Sequence, residues 1–168
     1  MGAMGRIGRI DMTEPEAGAA GEAAAEQIAA LPVHWDATGR LRVLMVTSRD
    51  TGRWVMPKGW LMDGKHPWQA AEIEALEEAG AVGFISEEPL GHYHYDKRLA
   101  KGAIRCRVTV YPMVVHKLKR RWKERKQRRR HWFSPRKAAR LVAEPELADL
   151  LARLEAGLKQ QSVVMKMR

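Results

Sequence analysis

Three glutamates stand at helical spacing near the middle of the chain, and their carboxylates could bind a metal. Glu74, Glu77 and Glu78 are i, i+3 and i+4 in the stretch PWQAAEIEALEEA, so a helix would place them within an arc of about 100° on one face. Carboxylates this close raise one another's pKa unless cations compensate. Mg²⁺ and Mn²⁺ prefer such oxygen ligands. The alternative is a solvent-facing acidic stripe on an ordinary surface helix.

A second charged feature has the opposite sign. Residues 117–130 read KLKRRWKERKQRRR and carry ten Lys or Arg against one Glu; we call them the basic segment. They account for +9 of the net charge of +10. Such a field attracts nucleic acid, an anionic membrane or a highly phosphorylated small molecule, although a solvated loop without a ligand is the alternative. Metal-bound carboxylates and cationic side chains together make a phosphate-transfer site.

The elements that must position these groups can be predicted from periodicity and turn residues. A helix is predicted between Pro67 at its first position and Gly80 just past its end. The loop 58–66 precedes this helix. Two more helices are predicted near the end of the chain: one that begins at Ser134 and Pro135, and a leucine-rich one at 144–159. Strands are predicted at 27–35, 41–48, 53–56, 91–97, 103–116 and 131–133, the first two as a hairpin, with Pro112 at an edge or a bulge. The fold class is therefore α+β, a mixed sheet between helical layers.

Length and composition limit the classes of protein that fit. In 168 residues we expect one domain over 26–160, after a flexible leader at 1–25 and before a short tail at 161–168. A hydrophobic content of 45% is too high for a wholly disordered chain, and no apolar run approaches the ~20 residues of a membrane span. The single cysteine, Cys106, cannot form an internal disulfide, so a cytoplasmic location is expected. The oligomeric state stays open.

The stretch from Gly59 to Ala81 resembles the Nudix box: Gly, five residues, Glu, seven residues, then Arg-Glu-aliphatic-x-Glu-Glu-x-Gly-aliphatic. The residues in register with that pattern are Gly59, Glu74, Ala75, Glu77, Glu78, Gly80 and Ala81. Lys65 and Ile73 depart from it, where Glu and Arg are expected. Losing an acid and a base together can remove an ion pair without leaving either partner unsatisfied. Because the metal-binding glutamates remain, an active enzyme is expected.

The resemblance extends over roughly 27–158, where the chain is similar to diphosphoinositol polyphosphate phosphohydrolases and their bacterial relatives. It implies a Nudix-type mixed sheet sandwiched between helices. It also implies that Glu74, Glu77, Glu78 and the Gly59 carbonyl hold Mg²⁺ or Mn²⁺ while water attacks a phosphorus atom. Glu74 and Glu78 are the candidates for activating that water.

Four cations are candidates for binding substrate phosphates, partly by their position in the resemblance: Lys58, Arg107, Arg128 and Arg130. The planar fork of arginine can bond two phosphate oxygens, although a simple surface cation is an equal alternative for each. We expect a pyrophosphohydrolase of a highly phosphorylated substrate: a diphosphoinositol polyphosphate, a diadenosine polyphosphate or polyphosphate. The alternatives are a nucleic-acid-binding module built on this fold and an RNA 5′-end pyrophosphohydrolase.

Overall fold

Two long strands that run parallel form the centre of the sheet in the computed structural model, which describes residues 24–154. They are β1 (Ala25–Trp35) and β7 (Gly102–Leu118), which pair from Ala25 with Cys106 to Val33 with Val114. The other strands are β2 (Leu41–Thr47), β3 (Trp54–Val55), β4 (Lys58–Trp60), β5 (Ala81–Ile85), β6 (Gly91–Leu99) and β8 (Arg130–Phe133). Their order is β3-β2-β1-β7-β5, with β4 on β1, β6 on β7 and β8 on β2, all antiparallel to their partners.

Helices cover both faces of this sheet, which confirms the predicted mixed sheet between helical layers. The helix α1 (Pro67–Ala79) buries four alanines against one face, while α2 (Pro135–Leu141) and α3 (Pro145–Ala152) lie on the other. The alanines of α1 are Ala70, Ala71, Ala75 and Ala79. Leu147, Leu151 and Leu154 supply the apolar stripe predicted for the last helix, and each is at most 1% exposed. Small side chains let α1 lie close to the sheet, which brings its glutamates near the strands.

The ends of these elements follow the turn chemistry of the sequence. Pro67 begins α1, and Gly80 ends it in the left-handed conformation at φ 64°. Asp36 closes the β1–β2 hairpin by accepting hydrogen bonds within the turn, from Thr38 above all and from the backbone N–H of Arg40. The hydrogen bond from the Thr38 hydroxyl is the main reason that the pKa of Asp36 lies well below its usual range. Ser134 caps α2 by accepting from the Lys137 N–H at 3.1 Å, as predicted.

Three features differ from the sequence-based prediction. Residues 58–60, predicted as loop, form β4 by pairing with β1, and the five-residue β5 directly after Gly80 was not predicted. Both pairings join segments that are distant in sequence, and hydrophobic periodicity within a short window cannot detect such pairings. Pro112 lies inside β7 rather than at an edge; it falls where β7 changes partner from β6 to β5. The bulge lies between Val82 and Gly83 instead.

Some predictions fall outside the described residues. The leader, apart from its last two residues, and the tail at 161–168 lie there, as does the end of the helix predicted to run to residue 159. The strand β1 already includes Ala25, which the prediction gave to the leader. Among residues 24–154, no helix combines the length and apolar character needed to cross a membrane.

Candidate active site

A cleft of ≈ 460 Å³ opens where α1, β4 and the basic segment meet. Its lining includes Glu74, Glu77 and Glu78 of α1, both Lys58 and Gly59 of β4, and Arg128. Other residues around it are Gln27, Ser48, Arg49, Asp50, Trp60, Tyr95, Lys97, Lys123, Glu124 and Gln127. The structure therefore brings together all of the predicted metal ligands and two of the four predicted phosphate-binding cations.

Two of the glutamates form a tight pair inside this cleft. The carboxyl groups of Glu74 and Glu78 hydrogen-bond to each other, and Glu78 is only 5% exposed. Burial is the main cause that raises the pKa of Glu74 to about 8, and the hydrogen bond and negative charge of Glu78 add to it. Burial also raises the pKa of Glu78, while the Arg128 guanidinium acts against that rise. A pair of carboxyl groups that lies in a cleft and has raised pKa values differs from a solvated acidic stripe.

Gly59 lies directly against this pair. A Cβ atom placed on Gly59 would come within 2.6 Å of the Glu74 Cδ atom, well inside the ~3.5 Å at which carbon atoms pack. Glycine is therefore the residue that lets the β4 backbone reach the carboxylate, because its lack of a side chain removes the overlap. Since β4 pairs with β1 through Ile28 opposite Gly59, the central sheet fixes this approach.

Glu77 faces a different neighbour. Its Oε1 atom lies 3.5 Å from the Lys123 Nζ atom, and its side chain is 32% exposed. Within residues 24–154, no three His, Cys, Asp or Glu side chains are grouped as a ready set of metal ligands. The structure thus pairs two of the predicted ligands and leaves the third at the cleft rim, bonded to a cation.

The basic segment reaches the cleft because it is tied to the end of α1. Trp122 donates from its indole Nε1 to the Glu78 carbonyl at 3.0 Å, and the Glu124 N–H donates to the Glu77 carbonyl at 3.0 Å. Arg130 donates to the Ala79 carbonyl at 2.8 Å, with its guanidinium carbon 3.8 Å from the centre of the Trp122 ring. Carbonyl groups at a helix end need such donors, since the helix leaves them unpaired. The segment is therefore part of the fold and not a detached loop.

Arg128 is the internal counter-ion of the site. Its guanidinium lies 3.6 Å from Glu78 and 3.0 Å from Glu124, and it donates to the Thr47 carbonyl at 3.0 Å. The exposed fractions of the three charged side chains are 9% for Arg128, 6% for Glu78 and 12% for Glu124. Arg128 thus holds two carboxylates in place from one side of the cleft.

The other predicted phosphate-binding cations divide between the cleft and the rest of the surface. Lys58 lines the cleft with its Nζ atom 5.1 Å from the centre of the Tyr95 ring, and burial lowers its pKa. Arg107 lies outside the cleft lining and is 4.0 Å from Glu26 across the β1–β7 pair. Arg130 is also outside the lining, because it is bound to the end of α1.

Sequence reasoning missed several cleft residues. Arg49, Lys97 and Gln127 line the cleft without a local motif to mark them. Glu124 did carry a signal, since it is the only acid in the basic segment. The single acid among ten cations is the group that binds Arg128 and lies 3.5 Å from Arg49. Cys106, between two arginines on β7, is fully buried, and burial raises the pKa of its thiol.

Comparison with known proteins gives a consistent result. The family model described as "NUDIX domain" matches residues 26–154. "Nudix hydrolase 12, mitochondrial" of Arabidopsis thaliana is 33% identical over 110 residues, which cover 63% of this chain and 54% of that protein. "Diphosphoinositol polyphosphate phosphohydrolase 3-beta" of Homo sapiens is 29% identical over 119 residues, covering 68% of this chain and 69% of that protein. The chain spans about half the length of the two Arabidopsis relatives matched over 110 and 112 residues.

Solved structures share the fold at low sequence identity. A binary complex of the C. elegans Ap4A hydrolase superposes with a TM-score of 0.62 at 19% identity, covering 82% of this chain and 99% of that one. The NUDIX domain of Shewanella oneidensis NrtR, complexed with ADP ribose, also gives a TM-score of 0.62 at 16% identity, covering 90% and 97%. At these identities the likeness extends to the fold alone.

Proposed function

The chain belongs to the Nudix family, and from that premise we propose that it hydrolyses a phosphoanhydride bond in a polyphosphorylated small molecule with the help of Mg²⁺ or Mn²⁺. The observation that carries this proposal is the pair of carboxyl groups of Glu74 and Glu78 beside the Gly59 backbone, in a cleft that Lys58 and Arg128 also line. A phosphate-transfer site needs both metal-binding oxygens and cations, and this cleft contains both.

The residues present suit a hard divalent cation. The Glu74 and Glu78 carboxyl groups lie side by side, the first half-buried and the second buried, and a divalent ion would compensate their negative charge. Glu74 and Glu78 would hold the metal together with the Gly59 carbonyl, and Glu77 would join from the cleft rim. Bound there, the metal would polarise phosphoryl oxygens and make water a better nucleophile.

The chain's own side chains would then orient the substrate and move the proton. Arg128 fixes Glu78 by its contacts with Glu124 and the β2 carbonyl, so that Glu78 keeps one orientation in the cleft. Glu74 and Glu78 remain the two candidates for accepting the proton of the attacking water. Lys58 and Lys97, which line the wall near Tyr95, would bind phosphate oxygens of the substrate.

The substrate class follows from the charge around the cleft and from the relatives. Five Lys or Arg side chains line it, namely Arg49, Lys58, Lys97, Lys123 and Arg128. Arg49, Lys123 and Arg128 are paired with glutamates of the cleft, whereas Lys58 and Lys97 have no carboxylate within 4.0 Å among residues 24–154. These two lysines suit a ligand with several phosphates in a row or on one ring. The names of similar proteins include a diphosphoinositol polyphosphate phosphohydrolase and an Ap4A hydrolase. We therefore propose a diphosphoinositol polyphosphate, a diadenosine polyphosphate or polyphosphate as substrate, and cytoplasm as the location, which stays a prediction.

A hydrolysis panel with matched variants, in which chromatography separates all of the phosphorylated products, tests this function. The purified full chain is assayed with Mg²⁺ and with Mn²⁺ on the three substrate types, a nucleotide sugar and triphosphorylated RNA. Glu78→Gln should lower turnover by about a thousandfold or more, because the variant loses a charged ligand and a candidate base. Glu72→Gln is the matched control, since Glu72 lies on the same helix outside the cleft lining. Full turnover by folded Glu78→Gln would refute the assignment.

Outward-facing cations of the basic segment favour RNA 5′-end hydrolysis as a second candidate. The exposed side chains of the segment include Arg120, Arg121, Arg125 and Lys126, and none of these four has a carboxylate within 4.0 Å among residues 24–154. They could contact backbone phosphates beyond the cleft. Under this alternative, replacing Arg120 and Arg121 with Ala should weaken RNA binding and reduce its salt dependence. Unchanged binding would exclude it.

A further inference from the structure

A second, smaller pocket lies beside the cleft and shares a wall with it. This side pocket has a volume of ≈ 180 Å³, and five of its lining residues also line the cleft: Ser48, Asp50, Lys58, Tyr95 and Lys97. Because the two spaces meet at these residues, a ligand with phosphates in the cleft can place an adjoining group in the side pocket. The volume is about that of six water molecules, enough for part of a ring.

Glu144 gives this pocket an unusual chemical feature. Its Oε2 atom is enclosed and is the one buried side-chain nitrogen or oxygen atom without a hydrogen-bond partner in the part of the chain that the structure describes. A buried acceptor without a donor is costly, so native structures pair nearly all such groups. Glu144 lines the side pocket, so its carboxyl group forms part of the wall that a ligand would meet.

Glu144 stands at a position where a side chain usually caps a helix, but its side chain forms no cap. Glu144 is the N-cap residue of α3, with extended backbone angles, yet its side chain makes no capping hydrogen bond. Acidic residues at a helix start normally accept from the free N–H groups there. The carboxylate is instead part of the pocket wall, together with the apolar side chains of Val55 and Leu147.

We propose that the side pocket binds a part of the substrate that carries a hydroxyl or amine, with Glu144 as the hydrogen-bond acceptor. This inference rests on the proposed function and deepens it. Lysine and arginine side chains of the same pocket suit the neighbouring phosphates, but only a group with a free donor satisfies the Glu144 carboxylate. Glu144 therefore favours phosphoanhydrides that end in a hydroxyl- or amine-bearing ring over those that consist of phosphate alone.

The test compares two substrates within each variant. Diadenosine tetraphosphate carries ring hydroxyls and an amine, whereas tripolyphosphate has no such donor. Glu144→Ala should lower the ratio of the two kcat/KM values, diadenosine tetraphosphate over tripolyphosphate, by about tenfold or more, the effect expected for losing a hydrogen bond to a charged group. Glu144→Gln, which keeps an acceptor oxygen, should lower the ratio less. The exposed Glu87→Gln is the control, and diinosine tetraphosphate, which lacks the amine, tells a hydroxyl from an amine.

The ratio separates binding from structure, because a merely structural role would lower both kcat/KM values together. An unchanged ratio in Glu144→Ala would overturn the inference, even where the wild type hydrolyses both substrates. If the wild type hydrolyses neither, the proposed function fails, and calorimetric titration with diadenosine tetraphosphate then decides the inference. Weaker binding by Glu144→Ala than by Glu87→Gln supports it, and equal binding refutes it.

Discussion

Replacing Arg128 with Ala should destabilise the protein strongly, because it would remove the cation that lies between the Glu78 and Glu124 carboxylates. Arg128 bonds to Glu78 and Glu124 in a place where all three side chains are at most 12% exposed. Removing one partner of a buried ion pair costs about 3–5 kcal/mol. The change also removes the donor to the Thr47 carbonyl, which adds about 1 kcal/mol or more. We expect the free energy of unfolding to fall by roughly 4–6 kcal/mol and the Tm by roughly 10 °C or more.

Urea unfolding and calorimetry measure this effect, and the basic segment supplies its control. Lys126 is exposed and has no carboxylate within 4.0 Å among residues 24–154, so Lys126→Ala should change stability by no more than about 0.5 kcal/mol. Adding Glu124→Gln to Arg128→Ala should restore about 1 kcal/mol or more relative to the sum of the single changes, since one uncompensated charge disappears. A loss below about 1 kcal/mol in Arg128→Ala would refute the role of Arg128 as internal counter-ion.

Three further predictions concern the backbone approach, the hairpin turn and the end of α1. Gly59→Ala should lower turnover by about a hundredfold, because the new Cβ displaces the carboxylate pair; wild-type turnover would contradict this. Asp36→Ala should flatten the acid limb of the stability curve in urea unfolding at varied pH. In the wild type the contribution of Asp36 is present above the usual Asp pKa of about 4 and is lost as pH falls through its lower folded pKa. Arg130→Ala should lower the unfolding free energy by about 1–2 kcal/mol, with Arg130→Lys intermediate, because the Trp122 face and the Ala79 carbonyl lose their partner; thermal unfolding measures both.

Sequence patterns predicted an element well where residues within that element determine its structure. The helix α1 was predictable because Pro67, a run of helix formers and Gly80 all lie within fourteen positions. By contrast, β4 is three residues long and exists because β1 lies beside it. No periodicity can be detected over three residues, so its pairing could not be predicted from the sequence.

The candidate site divides in the same way. Glu74, Glu77 and Glu78 share one helix, and their spacing indicated their common face. Whether Arg128 or Arg130 enters the cleft depends on how the basic segment packs, and the two differ by only two positions. Arg128 faces the carboxylates, whereas Arg130 is stacked on Trp122 and bound to the helix end. Charge counting treats both arginines alike, so tertiary contacts were needed to separate them.

The tie between the basic segment and α1 also has a consequence for the order of folding. The hydrogen bond from Arg128 to the Thr47 carbonyl joins residues 81 positions apart, and the one from Arg130 to Ala79 spans 51. Contacts between such distant residues form late, because the intervening chain must first lose its freedom. A helix like α1 can form early from local contacts, but Glu78 would have no counter-ion until the basic segment docks. The face of α1 that carries Glu74 and Glu78 thus obtains its counter-ion only when the most basic part of the chain docks against its most acidic helix.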